Sequence, residues 1–107
     1  MASLSPETLD ILTTDMTHIL DRNGKEAFVY LCRDGISHML LETGETRAGR
    51  WRRDEDGYIA EWDTGAVGRW SIEAEPGALT YVNRDNAARI RMSGVLFGNA
   101  RGLPRQP

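Results

Sequence analysis

The feature that most constrains this chain is a change of hydrophobic period near Gly24. Before it, apolar residues recur at the three-and-four spacing of a helix that buries one face. After it, apolar and polar residues alternate, and turn signals arrive roughly every eight to twelve residues, which is typical of a series of short antiparallel strands. The pattern therefore predicts a mostly β protein with one N-terminal α-helix.

The first segment reads as a helix over about residues 5–21. Ser5 is a suitable N-cap, and Asn23-Gly24 is a typical helix stop. The apolar stripe excludes His18 and consists of Leu9, Leu12, Met16, Ile19 and Leu20. We expect this helix to cover part of a sheet.

The second segment is a hairpin around Asp34-Gly35, which is a strong two-residue turn signal. Such a turn pairs Leu31 with His38 and places Arg33 on the same face. Both faces of the hairpin are largely apolar, so the sequence leaves open which of them lies inside.

From Thr46 onward the alternation is cleaner, and it stays in phase across successive turns. It places four aromatic residues on one face: Trp51, Trp62, Trp70 and Tyr81. Arg47 and Arg53 share this face at its two ends. A last strand is predicted after a break at Ser93-Gly94.

The count is about eight short antiparallel strands, arranged as a meander or small barrel. Closing such a meander into a barrel removes its exposed edges. We predict a single domain over residues 1–107, with a helix at about 5–21, a β-barrel at about 27–99 and a C-terminal tail at 100–107.

Two Gly-Arg-Trp triplets begin predicted strands, at Gly49 to Trp51 and at Gly68 to Trp70. In each, glycine allows close backbone approach, arginine points outward and tryptophan fills the interior. With its meander and these Gly-x-Trp triplets, the chain resembles the calycin-like small barrels of the lipocalin and fatty-acid-binding type. The resemblance covers residues 28–99 and implies a cavity for a small, partly apolar molecule.

The four aromatic residues could stack on a planar ligand, with Arg47 or Arg53 binding its anionic end. The same aromatics could instead be ordinary core, and the same arginines could extend into solvent. The leading hypothesis is a small-molecule-binding barrel for a hydrophobic or aromatic ligand with an anionic end.

Two further hypotheses belong to other classes. If the His38 face is the lumen, His38 and Arg33 could act as acid and electrostatic stabiliser in a cofactor-free isomerase, lyase or cyclase. Alternatively, the chain is a homodimeric interaction module that binds no small molecule.

Composition and residue spacing argue against several classes of binding partner. The net charge of -3 argues against nucleic-acid binding, which depends on clustered positive charge. No apolar run approaches the ~18 residues of a membrane span, so we expect a soluble, cytoplasmic protein without membrane contact. Two histidines and the single cysteine, Cys32, lie in separate elements, so we expect neither a metal site nor a cofactor.

Overall fold

The computed structural model describes residues 2–22 and 24–99, and the predicted tail at 100–107 lies outside the described residues. Within these ranges the chain forms one helix and nine strands. Their bounds are β1 Ala2–Ser3, α1 Pro6–Thr13, β2 Met16–Arg22, β3 Lys25–Leu31, β4 Ile36–Leu40, β5 Thr46–Arg53, β6 Gly57–Trp62, β7 Val67–Glu75, β8 Ala78–Asn83 and β9 Arg89–Phe97.

Strands β2 to β9 form a closed eight-stranded antiparallel barrel. Each strand pairs with its neighbours in the chain, and β2 also pairs with β9 to close the sheet. The short β1 pairs with the second half of β7. The structure thus confirms the predicted class, a mostly β protein with one N-terminal helix and a small barrel.

The helix is shorter than predicted. Ser5 caps it by accepting a hydrogen bond from the Thr8 N–H, as expected, but the helix ends at Thr13. The Thr13 hydroxyl bonds back to the Leu9 carbonyl at 2.6 Å, and Asp15 takes a left-handed conformation with φ of 65°. The extension of the helix to residue 21 was wrong, because Met16–Arg22 is the strand β2.

Tertiary pairing explains this difference. β2 lies between β3 and β9, so both of its edges are hydrogen-bonded to neighbouring strands. Met16, His18 and Leu20 alternate along it and are buried. The helical stripe of the sequence was therefore in part the inward face of a strand, a case in which tertiary context overrides local pattern.

The predicted helix stop is instead a hairpin turn. Arg22 pairs with Lys25 across it, and Gly24 has a φ of 80°, a left-handed conformation that glycine adopts without steric cost. Asn23 lies outside the described residues. Asn-Gly is also a leading hairpin signal, and here this second meaning applies.

The hairpin of β3 and β4 has a three-residue loop rather than a two-residue turn. The Cys32 N–H bonds to the Ile36 carbonyl at 2.9 Å, and Gly35 has a φ of 92°. Tyr30 therefore pairs with His38, so the predicted pairing of His38 with Leu31 was wrong. A shift of one residue reverses the facing of β4 relative to β3.

The last strand is continuous across Ser93-Gly94, where the sequence predicted a break. The register shifts there, because Ile19 pairs with Gly94 whereas Leu20 pairs with Met92. Such a bulge bends a strand without ending it. The count of eight barrel strands is thus reached with β2, not with a separate final strand.

The helix covers one end of the barrel. Leu9 is fully buried and belongs to the apolar core inside the barrel, and Asp10 forms an ion pair with Arg53 at the end of β5. The Leu12 carbonyl contacts the His18 ring at the start of β2. In the described part of the chain, no helix covers the opposite end, where β2 ends and β9 begins.

Candidate functional site in the barrel lumen

A cavity of about 140 Å³ lies in the lumen towards the end opposite the helix. Its wall is mostly apolar, with one arginine and two tyrosines. The lining residues are Leu20, Arg22, Ala27, Val29, Met39, Tyr58, Trp62, Trp70, Tyr81 and Ile90. A concave apolar site with a few polar groups is the usual form of a small-molecule site.

The structure brings together three of the four predicted aromatic residues. Trp62, Trp70 and Tyr81 line the cavity, and the rings of Trp70 and Tyr81 are 5.4 Å apart. Trp51 points into the barrel but lies outside this lining. Its indole N–H donates to the Cys32 carbonyl at 2.7 Å, so it closes the interior nearer the helix.

Both triplet glycines stand where a side chain would collide with a neighbour. A Cβ on Gly49 would lie 2.0 Å from the Glu61 carbonyl oxygen of the paired strand. A Cβ on Gly68 would lie 2.5 Å from the Trp70 indole nitrogen. The glycines thus permit close approach of a backbone and of an indole ring, as the repeat predicts.

The two predicted arginines lie at opposite ends of the barrel and outside the cavity lining. Arg47 pairs with Glu45 at 3.2 Å, and Arg53 pairs with Asp10 of the helix. The arginine in the lining is Arg22, at the end of β2. Its Nη1 lies 3.8 Å from Glu42 Oε2, which is longer than the about 2.8 Å of a tight charged hydrogen bond.

A chain of buried hydrogen bonds runs from the lumen to the helix. The Tyr58 hydroxyl donates to the Tyr81 hydroxyl at 2.9 Å, and the Tyr81 hydroxyl in turn contacts His18 Nδ1. His18 Nε2 lies 2.6 Å from the Leu12 carbonyl oxygen. These three side chains are at most 1% exposed, so the hydrogen bonds between them are shielded from solvent.

Burial determines the pKa values of the three side chains in this hydrogen-bond chain. Desolvation lowers the pKa of His18 from 6.5 to about 4, against the opposing effect of its bond to the Leu12 carbonyl. Desolvation also raises the pKa values of Tyr58 and Tyr81 above 10. All three side chains are consequently neutral near pH 7.

Sequence reasoning missed His18 and Arg22 as site residues, because both were assigned to the helix. One signal could have found them. If Asn23-Gly24 is read as a hairpin turn, the preceding residues become a strand, and His18, Leu20 and Arg22 fall on one face.

The structure does not bring His38 and Arg33 together in the lumen. His38 packs on the outer face of the sheet with its ring 6.2 Å from that of Tyr30. Arg33 lies in the β3–β4 loop, with its side chain 75% exposed, and pairs with Asp15 at 3.5 Å. Neither residue lines the cavity.

Comparison of the chain with protein-family models, curated proteins and solved structures finds no match. The fold and the lumen are therefore the basis for a functional conclusion. Among residues 2–22 and 24–99, no helix has the length and apolar character needed to cross a membrane.

Proposed function

We propose that this protein binds a small aromatic or hydrophobic molecule with an anionic end inside the barrel lumen. The observation that carries the proposal is the cavity itself, an apolar space between Trp62 and Trp70 with Arg22 in its wall. The resemblance to calycin-like barrels, whose known members bind small apolar molecules, agrees with this assignment.

The size of the cavity limits the ligand. An engineered apolar cavity of about 150 Å³ in another protein holds one benzene molecule. The lumen cavity of about 140 Å³ is comparable, so it suits a single ring with one short substituent. A long fatty acid would need a much larger space, since drug-sized ligands occupy about 300 Å³ or more.

Arg22 supports an anionic end. Its ion pair with Glu42 is long, so its guanidinium keeps donors that a ligand carboxylate could use in bidentate fashion. Its position at the end of β2 places the charge near the end of the barrel that the helix leaves open. An apolar ring inside and a carboxylate towards solvent would match this arrangement.

Calorimetric titration with benzoate, and with benzamide as its neutral counterpart, tests the proposal. We expect saturable binding of benzoate that is about tenfold tighter than that of benzamide, the factor typical of one charge-assisted hydrogen bond. Octanoate should bind more weakly than benzoate because its chain exceeds the cavity.

Two arginine variants locate the site. Arg22→Gln should remove the preference for benzoate over benzamide. Arg69→Gln changes the net charge equally but alters an exposed pair with Asp85, and it should leave the preference intact. The proposal fails if no single-ring carboxylate binds, or if Arg69→Gln has the same effect as Arg22→Gln.

The positions of His38 and Arg33 favour the binding hypothesis over the enzyme hypothesis, since the two residues share no concave site. The interaction-module hypothesis predicts that benzoate does not bind and that the protein dimerises. The same titrations, combined with sedimentation analysis, therefore discriminate between it and the proposed function.

A further inference from the structure

In the buried hydrogen-bond chain from His18 to Tyr58, the direction of donation follows from the partner of the His18 ring. A carbonyl oxygen only accepts hydrogen bonds, so His18 Nε2, which contacts the Leu12 carbonyl, carries the ring hydrogen. In the neutral ring Nδ1 is then an acceptor. The Tyr81 hydroxyl must therefore donate to His18.

This direction extends to Tyr58. Because the Tyr81 hydrogen is committed to His18, the Tyr81 oxygen accepts the hydrogen of Tyr58. The single hydrogen of the Tyr58 hydroxyl is then used in this bond, but its oxygen can still accept a hydrogen bond. In the described part of the chain, no hydrogen bond is donated to that oxygen.

Tyr58 is also part of the cavity wall, whose other members, apart from Tyr81 and Arg22, are apolar. A buried acceptor next to an apolar cavity favours a ligand that brings a donor to it, because an unmatched buried polar group costs free energy. A ligand with only an acceptor at this position would face the Tyr58 oxygen without a hydrogen to share.

We propose that Tyr58 is a specificity-determining residue, oriented by Tyr81 and His18 to accept a hydrogen bond from the ligand. The ligand class is then a hydroxylated single-ring carboxylate, with its hydroxyl inside and its carboxylate towards Arg22. This inference rests on the proposed function, because it assigns a ligand group to the same cavity.

The test compares ligands that differ only in the donor. Calorimetric titrations use benzoate, its three hydroxy isomers and the matching fluoro isomers, in which fluorine has similar size but no hydrogen to donate. At one or more ring positions, the hydroxy compound should bind about tenfold tighter than its fluoro counterpart. Equal binding of hydroxy and fluoro compounds at all three positions would overturn the inference and leave the proposed function standing.

Variants then assign the effect to the hydrogen-bond chain. Tyr58→Phe should abolish the hydroxyl preference, measured within the variant as the ratio of hydroxybenzoate to fluorobenzoate affinity. Tyr30→Phe is the matched control, since Tyr30 is also buried but donates to Asp15 on the outer face. Survival of the preference in Tyr58→Phe would refute the assignment.

Tyr81→Phe tests the positioning role. Without Tyr81 as acceptor, Tyr58 can donate into the cavity as well as accept, so methoxybenzoates, which only accept, should bind more tightly relative to benzoate than they do in the wild-type protein. No gain in the affinity of methoxybenzoates relative to benzoate in Tyr81→Phe would show that the hydrogen-bond chain does not orient Tyr58. Failure of every carboxylate, benzoate included, to bind the wild-type protein would overturn both this inference and the proposed function.

Discussion

Tyr81 and His18 are 63 residues apart in the chain, yet they share a hydrogen bond inside the lumen. The bond links β8 to β2, two strands that are not neighbours in the sheet. It also satisfies the buried Nδ1 of His18, so its loss should lower the free energy of unfolding.

Tyr81→Phe should lower the free energy of unfolding by about 1 to 3 kcal/mol, the cost of leaving a buried polar atom unsatisfied. Urea unfolding measures this. Tyr30→Phe should cost less, because its partner Asp15 is half-exposed and water can replace the lost bond. An equal loss of unfolding free energy in Tyr81→Phe and Tyr30→Phe would contradict this prediction.

Stability should depend on pH through His18. The unfolded ring titrates near 6.5, whereas burial lowers its pKa to about 4 in the fold, so between these values the unfolded state binds more protons. The stabilisation is fully present above pH 6.5 and falls by about 3 kcal/mol as the pH approaches 4. Urea unfolding at pH 7, 6, 5 and 4 checks this slope, and His18→Gln should flatten it.

In the proposed site, Glu42 would compete with the ligand carboxylate for Arg22, with which it forms an ion pair. Glu42→Gln should remove this competition and tighten benzoate binding about threefold to tenfold, since one nearby negative charge is lost. Calorimetry at low salt is the measurement, with Glu61→Gln as an exposed control. Weaker binding in Glu42→Gln would indicate that Glu42 holds Arg22 in place for the ligand.

Ser37 is fully buried, and its hydroxyl has no hydrogen-bond partner among residues 2–22 and 24–99. Ser37→Ala removes this unsatisfied group with a small change in volume. Stability should be unchanged or rise by up to about 1 kcal/mol in urea unfolding. A loss above that size would mean that the hydroxyl has a bound partner, such as a buried water.

The two triplet glycines should differ in their tolerance of alanine. Gly49→Ala forces a methyl group into the backbone at Glu61 and should cost on the order of 3 kcal/mol or more. The three atoms nearest to a Cβ on Gly68 all belong to the Trp70 side chain, which can shift more easily than a backbone, so Gly68→Ala should cost less. Thermal unfolding of both variants tests the order, and the reverse order would contradict it.

The inward facing from Trp51 to Tyr81 could be predicted from the sequence because strict alternation and clear turn residues agree there. Each turn fixes the register of the next strand, so one correct phase extends to several strands. The roles of the triplet glycines followed from the same alternation, because it places each glycine on the same face as an inward tryptophan two residues later.

The first barrel strand could not be predicted in this way. Met16, Ile19 and Leu20 fit a helical stripe as well as a strand, and the deciding pairing with β9 lies far away in the chain. The same assignment kept His18 and Arg22 out of the predicted site, because both lie on that strand. The predicted pairing of His38 with Leu31 failed for a different reason, a loop of three residues instead of two.

Closure of the barrel has a consequence for folding. The pairing of β2 with β9 joins residues near the start of the described chain to residues near its end, for example Met16 with Phe97. A contact of such long sequence separation forms late and slowly, because the intervening loop must be closed first. On the ribosome, a partly made chain can form the hairpins in turn but cannot yet enclose a ligand. The proposed binding site should therefore form only after synthesis has passed Phe97.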